Sequence, residues 1–207
     1  MKHFVLKGDI IYSPTQTKLE LCPDHYVVCQ DGICQGVFES IPYQYSDLPV
    51  MDFSGHLILP GMTDLHLHAP QYTNRGMGMD LELIDWLNTY TFPEEKKYND
   101  LNYAKTAYTT LINDIKKGPT TRLCAFNTIH INSTLLLMDM LEESGLSAYV
   151  GLVSMDRNAP DYLTSDRPIE ELEIWQNWTV ATTNYRATMG CTLVAAIFYS
   201  IFLKEIA

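Results

Sequence analysis

Downstream of Gly61 the hydrophobic pattern switches repeatedly between a period of two and a period near 3.6 residues, and that alternation restricts the fold more than any other property of the chain. "MTDLHLH" alternates, placing Asp64, His66 and His68 on one face of a strand and Thr63, Leu65 and Leu67 on the other. "DLELIDWLNTY" reads as a short helix or capped loop. "DLNYAKTAYTTLINDIKKG" reads as a longer helix, with Asp100 its N-cap and Gly118 just past its end. "TTRLCAF" is then a second strand, "NSTLLLMDMLEESG" a second helix closed by Gly145, and "LSAYVGLVSM" a third strand, followed by a proline-bearing loop and the helical "PIEELEIWQ". Strand, helix, strand, helix, strand is the order of a parallel α/β sheet with right-handed crossovers.

Residues 1–56 carry a different pattern, short β runs broken by turn residues, and read as a small, sandwich-like β domain. Within it "CQDGIC" places Asp31 and Gly32 at the centre of a type I′ hairpin turn, so that Cys29 faces Cys34 across the ladder. Five cysteines with no CxxC pair are a poor disulfide framework and a poor thiolate metal site; a cross-strand disulfide is conceivable, but in a reducing compartment the two read as small strand residues. Residues 176–207 form an atypical apolar segment. Its uncharged stretch "ATMGCTLVAAIFYSIFL", 187–203, is shorter than a membrane span usually needs and is interrupted by Thr, Gly, Cys and Ser, so no membrane partner is expected.

The formal charge of −11 excludes a phosphate-backbone binder, because nucleic-acid affinity depends on Lys and Arg displacing counterions. A neutral or cationic small molecule suits this charge better. The opening "MKHFVLKGDIIY" has no apolar core of a secretory leader, which points to the cytoplasm.

His-x-His is a weak motif by itself, but its position strengthens it. Period two brings both imidazoles to one side of a strand, and neutral imidazole is a common zinc ligand. If the strand belongs to a β/α barrel, the pair sits at its C-terminal end, where barrel active sites assemble.

"LILPGMTDLHLHAPQYTNRGMGMDLELIDWLNTYTFPEE" closely resembles the guanine deaminase family, zinc aminohydrolases of the amidohydrolase superfamily, and "TTRLCAFNTIHINSTLLLMDML" and "SMDRNAPDYL" are similar to the same family's next two barrel units. The resemblance runs from the N-terminal β domain to about Trp175, and rests most on "HAPQY" and "WLNTYTFP". Pro119 departs from it, standing where the family usually has threonine. The resemblance implies a (β/α)8 barrel, of which residues 57–175 are the first three or so β/α units. It implies zinc held in part by His66 and His68, Gln71 contacting the purine, and hydrolytic deamination of guanine to xanthine and ammonia. Arg75, Asp80, Asp85 and His130 are read as structural.

In the family a later His-x-x-Glu motif supplies the third histidine and the proton-shuttling glutamate, and further strands supply another histidine and an aspartate. No histidine follows His130, and His-x-x-Glu occurs nowhere in the chain. The chain as written is therefore expected to be inactive alone and to be a truncated or frame-altered form whose residues beyond Trp175 are not the family's sequence, with a dedicated short homologue as the rival reading. The alternatives are a non-catalytic interaction protein that keeps the histidine pair, and an aminohydrolase for another nucleobase. A homo-oligomer stays open.

Overall fold

The computed structural model describes residues 3–155 and 157–165. The helical reading of "PIEELEIWQ" and the apolar segment 187–203 lie outside them. Among the described residues no helix is long and apolar enough to cross a membrane.

The chain divides at Gly61 into two compact units. In the first, β1 (Phe4–Thr15), β2 (Lys18–Gln30), β3 (Ile33–Phe38) and β4 (Val50–Ile58) form one mixed sheet in the order β3-β2-β1-β4, with β4 parallel to β1. Val5, Ile10 and Val28 are its buried hydrophobic residues. The hairpin between β2 and β3 turns at Asp31 and Gly32, both with positive φ (55° and 77°), as a type I′ turn requires. Cys29 stands opposite Cys34, as the turn predicts, and both carry thiols. The apolar run "LILPGMTDLHLH" is two strands: Leu57 and Ile58 finish β4 against β1, and Pro60, which has no N–H for a ladder, lies in the break that follows.

The second unit is built on β5 (Met62–His68), β6 (Thr120–Phe126) and β7 (Ser147–Gly151), a parallel sheet in sequence order. Helices α3 (Leu101–Lys117) and α4 (Ile131–Ser144) pack together against it. Buried α3 residues fall at Ala104, Ala107, Tyr108, Leu111 and Ile112, the spacing of a single apolar stripe, and meet Leu137, Met138 and Leu141 of α4 and Leu123, Ala125 and Val150 of the sheet. Asp100 caps α3 by accepting the Asn102 N–H at 2.9 Å. Gly145 closes α4 in the left-handed conformation, whereas Gly118 ends α3 with an extended backbone. Pro119 costs the sheet nothing: it precedes β6, and its carbonyl accepts the Met62 N–H at 2.9 Å.

The stretch after β5 is more helical than its sequence suggests. Residues Ala69–Asn74 form 3₁₀ turns, and α1 (Leu83–Trp86) runs through a wide π-turn, Leu87–Thr91, into α2 (Phe92–Lys97). Phe92 N–H donates to the Leu87 carbonyl, five residues back, and Pro93 falls in the first turn of α2, where a missing N–H is tolerated. Gly78, with φ +63°, lies flat under the Tyr90 and Trp86 rings, where a side chain would collide with Tyr90.

The α/β expectation is met by this unit: a parallel sheet with helices between its strands, with three strands among the described residues.

Candidate functional site

The two faces of β5 do different work. Leu67 packs with the helices, whereas His66 and His68 emerge on the opposite side against Phe126, their ring centroids 5.2 and 5.1 Å from its own. Phe126 is the register partner of His68 on β6 and is buried, so it forms a fixed apolar wall beside both imidazoles. The β5 ladder has a bulge between Asp64 and Leu67, and there the Asp64 carboxylate accepts the His66 backbone N–H at 3.0 Å.

The His66 and His68 Nε2 atoms are 3.2 Å apart. Two imidazoles on one tetrahedral zinc, with bonds near 2.0–2.1 Å, place their nitrogens about 3.3 Å apart, so this pair fits two positions of such an ion. Burial, and then the neighbouring His66, lower the His68 pKa to about 4, so that ring stays neutral at physiological pH, as a ligand must. Among the described residues no group of three His, Cys, Asp or Glu side chains converges on one point.

Gln71 lies three residues beyond the end of β5 in the 3₁₀ segment and is half-buried. Its neighbours are fastened to α2, to the residue that caps its C-terminus and to α3. The Tyr98 hydroxyl donates to the Pro70 carbonyl at 3.1 Å, the Tyr72 hydroxyl to Asp114 at 2.6 Å, and Thr73 Oγ1 to Glu94 at 2.7 Å. Glu94 also accepts from Lys97 Nζ at 2.6 Å and from the Tyr103 hydroxyl. Burial alone would push the Glu94 carboxyl up, but those donors outweigh it and hold it below its ordinary value. Arg75 donates to the Tyr72 carbonyl and stacks on the Tyr72 ring, its guanidinium carbon 3.9 Å from the centroid, which is a structural role.

His130 precedes α4, where its carbonyl accepts the Thr134 N–H at 3.0 Å. Around it the Tyr108 hydroxyl donates to Asn127 Oδ1 at 2.7 Å and lies 2.7 Å from Ser133 Oγ, while Asn127 Nδ2 donates to Thr134 at 3.0 Å. These four side chains satisfy one another, whereas His130 Nε2 is buried without a hydrogen-bond partner. Sequence reasoning missed Phe126, Glu94, Tyr98 and Asp114. Only "FPEE", with two acids in the first turn of a helix, carried a local signal.

Glu95, beside the ion-paired Glu94, is buried, and desolvation pushes its pKa up to about 8. The folded chain therefore keeps a proton that the unfolded chain releases near the ordinary glutamate value of about 4.3. The stability associated with that proton is complete below the unfolded value and is lost as pH rises towards about 8, because over that window the native state binds more protons. Thermal melts should fall in midpoint across this range for wild type and much less for Glu95→Gln. Equal slopes in the two proteins would refute the assignment.

Over residues 57–193 the sequence matches the amidohydrolase family, to which this chain belongs. Within that family it is closely related to guanine deaminases. It is 33% identical over 175 residues to guanine deaminase of Dictyostelium discoideum (76% of this chain, 39% of that protein) and 34% over 181 residues to that of Rattus norvegicus (82% and 40%). Among solved structures it is similar to guanine deaminase from C. acetobutylicum with guanine bound in the active site, with 44% identity and a TM-score of 0.81 over 88% of this chain and 43% of the other. The chain spans less than half the length of each of these relatives.

Proposed function

We propose that this chain provides the first part of the active site of a cytoplasmic, zinc-dependent guanine deaminase, which converts guanine to xanthine and ammonia. The observation that carries the reading is the convergence of His66 and His68 Nε2, 3.2 Å apart, on the strand that leads directly into Gln71. His66 and His68 would hold zinc, which when bound supplies an acidified water as nucleophile. The chain's own residues then have distinct tasks. The neutral His68 keeps its lone pair for the metal, and the Phe126 ring excludes water from one side of the pair. Gln71 offers a donor and an acceptor to a purine edge. The anchors at Pro70, Tyr72 and Thr73 fix the segment carrying that amide, so little ordering entropy is lost when substrate binds.

A chimera tests this directly, with residues 62–155 of this chain replacing their counterparts in the clostridial guanine deaminase. It should deaminate guanine, lose activity in His66→Ala, and show a KM raised about tenfold or more in Gln71→Ala, the loss of about 1.4 kcal/mol expected when a paired amide is removed. A folded, zinc-loaded chimera that leaves guanine untouched would overturn the proposal.

A further inference from the structure

The cysteine pair of the β2–β3 hairpin takes no part in the proposed deaminase site. We propose that Cys29 and Cys34 are a reversible two-electron redox site that closes to an intra-hairpin disulfide by exchange with a low-molecular-weight disulfide, with Cys34 the thiol that attacks it first.

The placement comes from the backbone. Cys29 and Cys34 are direct register partners, one pair outside Gln30 and Ile33, which close the turn. Opposed residues on antiparallel strands have Cα atoms about 4.5–5.5 Å apart and side chains on the same face of the pleat. A disulfide spans about 4.4–6.8 Å between Cα atoms, so the strands need not move for the bond to form. Both turn residues already have the positive φ of a type I′ turn, which holds the two strands in this register. The ladder slips only beyond the pair, where Val28 faces Gly36 and Gln35 becomes the extra residue.

The two thiols differ in access. Cys34 is exposed and Cys29 is half-buried, so an incoming disulfide meets Cys34 first. With glutathione disulfide, the Cys34 thiolate attacks one sulfur, forming a mixed disulfide and releasing one glutathione thiolate. The Cys29 thiolate then attacks the Cys34 sulfur and releases the second glutathione. Two protein thiols are oxidised, one glutathione disulfide is reduced to two glutathiones, and both thiol protons pass to the leaving thiolates. The loop closed is very short, so the bond removes little entropy from the unfolded chain and acts as an exchangeable modification rather than a structural staple. Cys22 serves as an internal control, because its register partner is Ile10.

The test incubates the full chain with glutathione disulfide at neutral pH, quenches with acid and maps the peptides by mass spectrometry. Wild type should show a Cys29–Cys34 bond, without a lasting glutathione adduct, that dithiothreitol reverses. Cys29→Ser should trap glutathione on Cys34, and in Cys34→Ser modification of Cys29 should be about tenfold slower or more, because access controls exchange. Wild type alone decides the matter if either variant misfolds. A persistent glutathione adduct at Cys34 of wild type, a bond from Cys29 to another cysteine, or unreacted thiols at both positions would each overturn the proposal.

Discussion

Supplied with zinc and guanine, the 207-residue chain by itself is expected to give no turnover above a protein-free blank. A catalytic zinc usually has three protein ligands and one open position, and two imidazoles hold the ion weakly and leave it mostly hydrated. Water on such an ion is less acidic. The chain also contains no His-x-x-Glu sequence to supply a proton-shuttling glutamate beside a further ligand. General acid–base catalysis contributes typically 10²–10⁴-fold, so its loss alone would be severe. The check is an absorbance assay of guanine conversion with wild type, His66→Ala and a blank. Zinc-dependent turnover that His66→Ala abolishes would show that other residues of the chain, or a second copy of it, complete the site.

A second large effect is expected at the centre of the helix layer. Leu137 is fully buried and belongs to the core cluster shared by α3, α4 and the sheet, so Leu137→Ala leaves a cavity that packed neighbours on several elements cannot all fill. Stability of the second unit should fall by about 2–5 kcal/mol. All three tryptophans lie beyond Met62, so fluorescence-detected urea unfolding reports on this unit. The loss should appear as a lower midpoint with an unchanged slope. A decrease below about 1 kcal/mol would mean that Leu137 contributes far less packing than its burial implies.

Local rules account for what was legible in the sequence. The period-two spacing of His66 and His68 placed both rings on one side of β5, and the structure has their Nε2 atoms together. The Asp31–Gly32 turn aligned Cys29 with Cys34, Asp100 started α3 as a carboxylate N-cap, and Gly145 ended α4 in the left-handed conformation that glycine adopts freely. What escaped depends on tertiary neighbours. Glu94 and Glu95 are adjacent and chemically identical, yet one is ionised among Lys97, Tyr103 and Thr73 while the other is buried and proton-bound. Nothing within "FPEE" distinguishes them. The anchors of the Gln71 segment are equally non-local: Tyr72 meets Asp114 across 42 positions of sequence. Phe126 became part of the site only because β6 pairs with β5 in a register that sets it beside His68.

The π-turn at Leu87–Thr91 acts as a phase shifter along this helical run. Each residue advances an α-helix by about 100°, so one extra residue in a turn resets which face every later side chain presents. Upstream of it, Trp86 aims its indole N–H at the Met77 carbonyl; downstream, Glu94 meets Thr73 and Glu95 enters the interior. Deleting Asn88 would restore a regular turn and rotate the two halves out of phase by about 100°. Pro93 would then occupy a helix interior, and the face that fastens the Gln71 segment would turn away from it. The widened turn thus keeps two angular settings in one continuous helix.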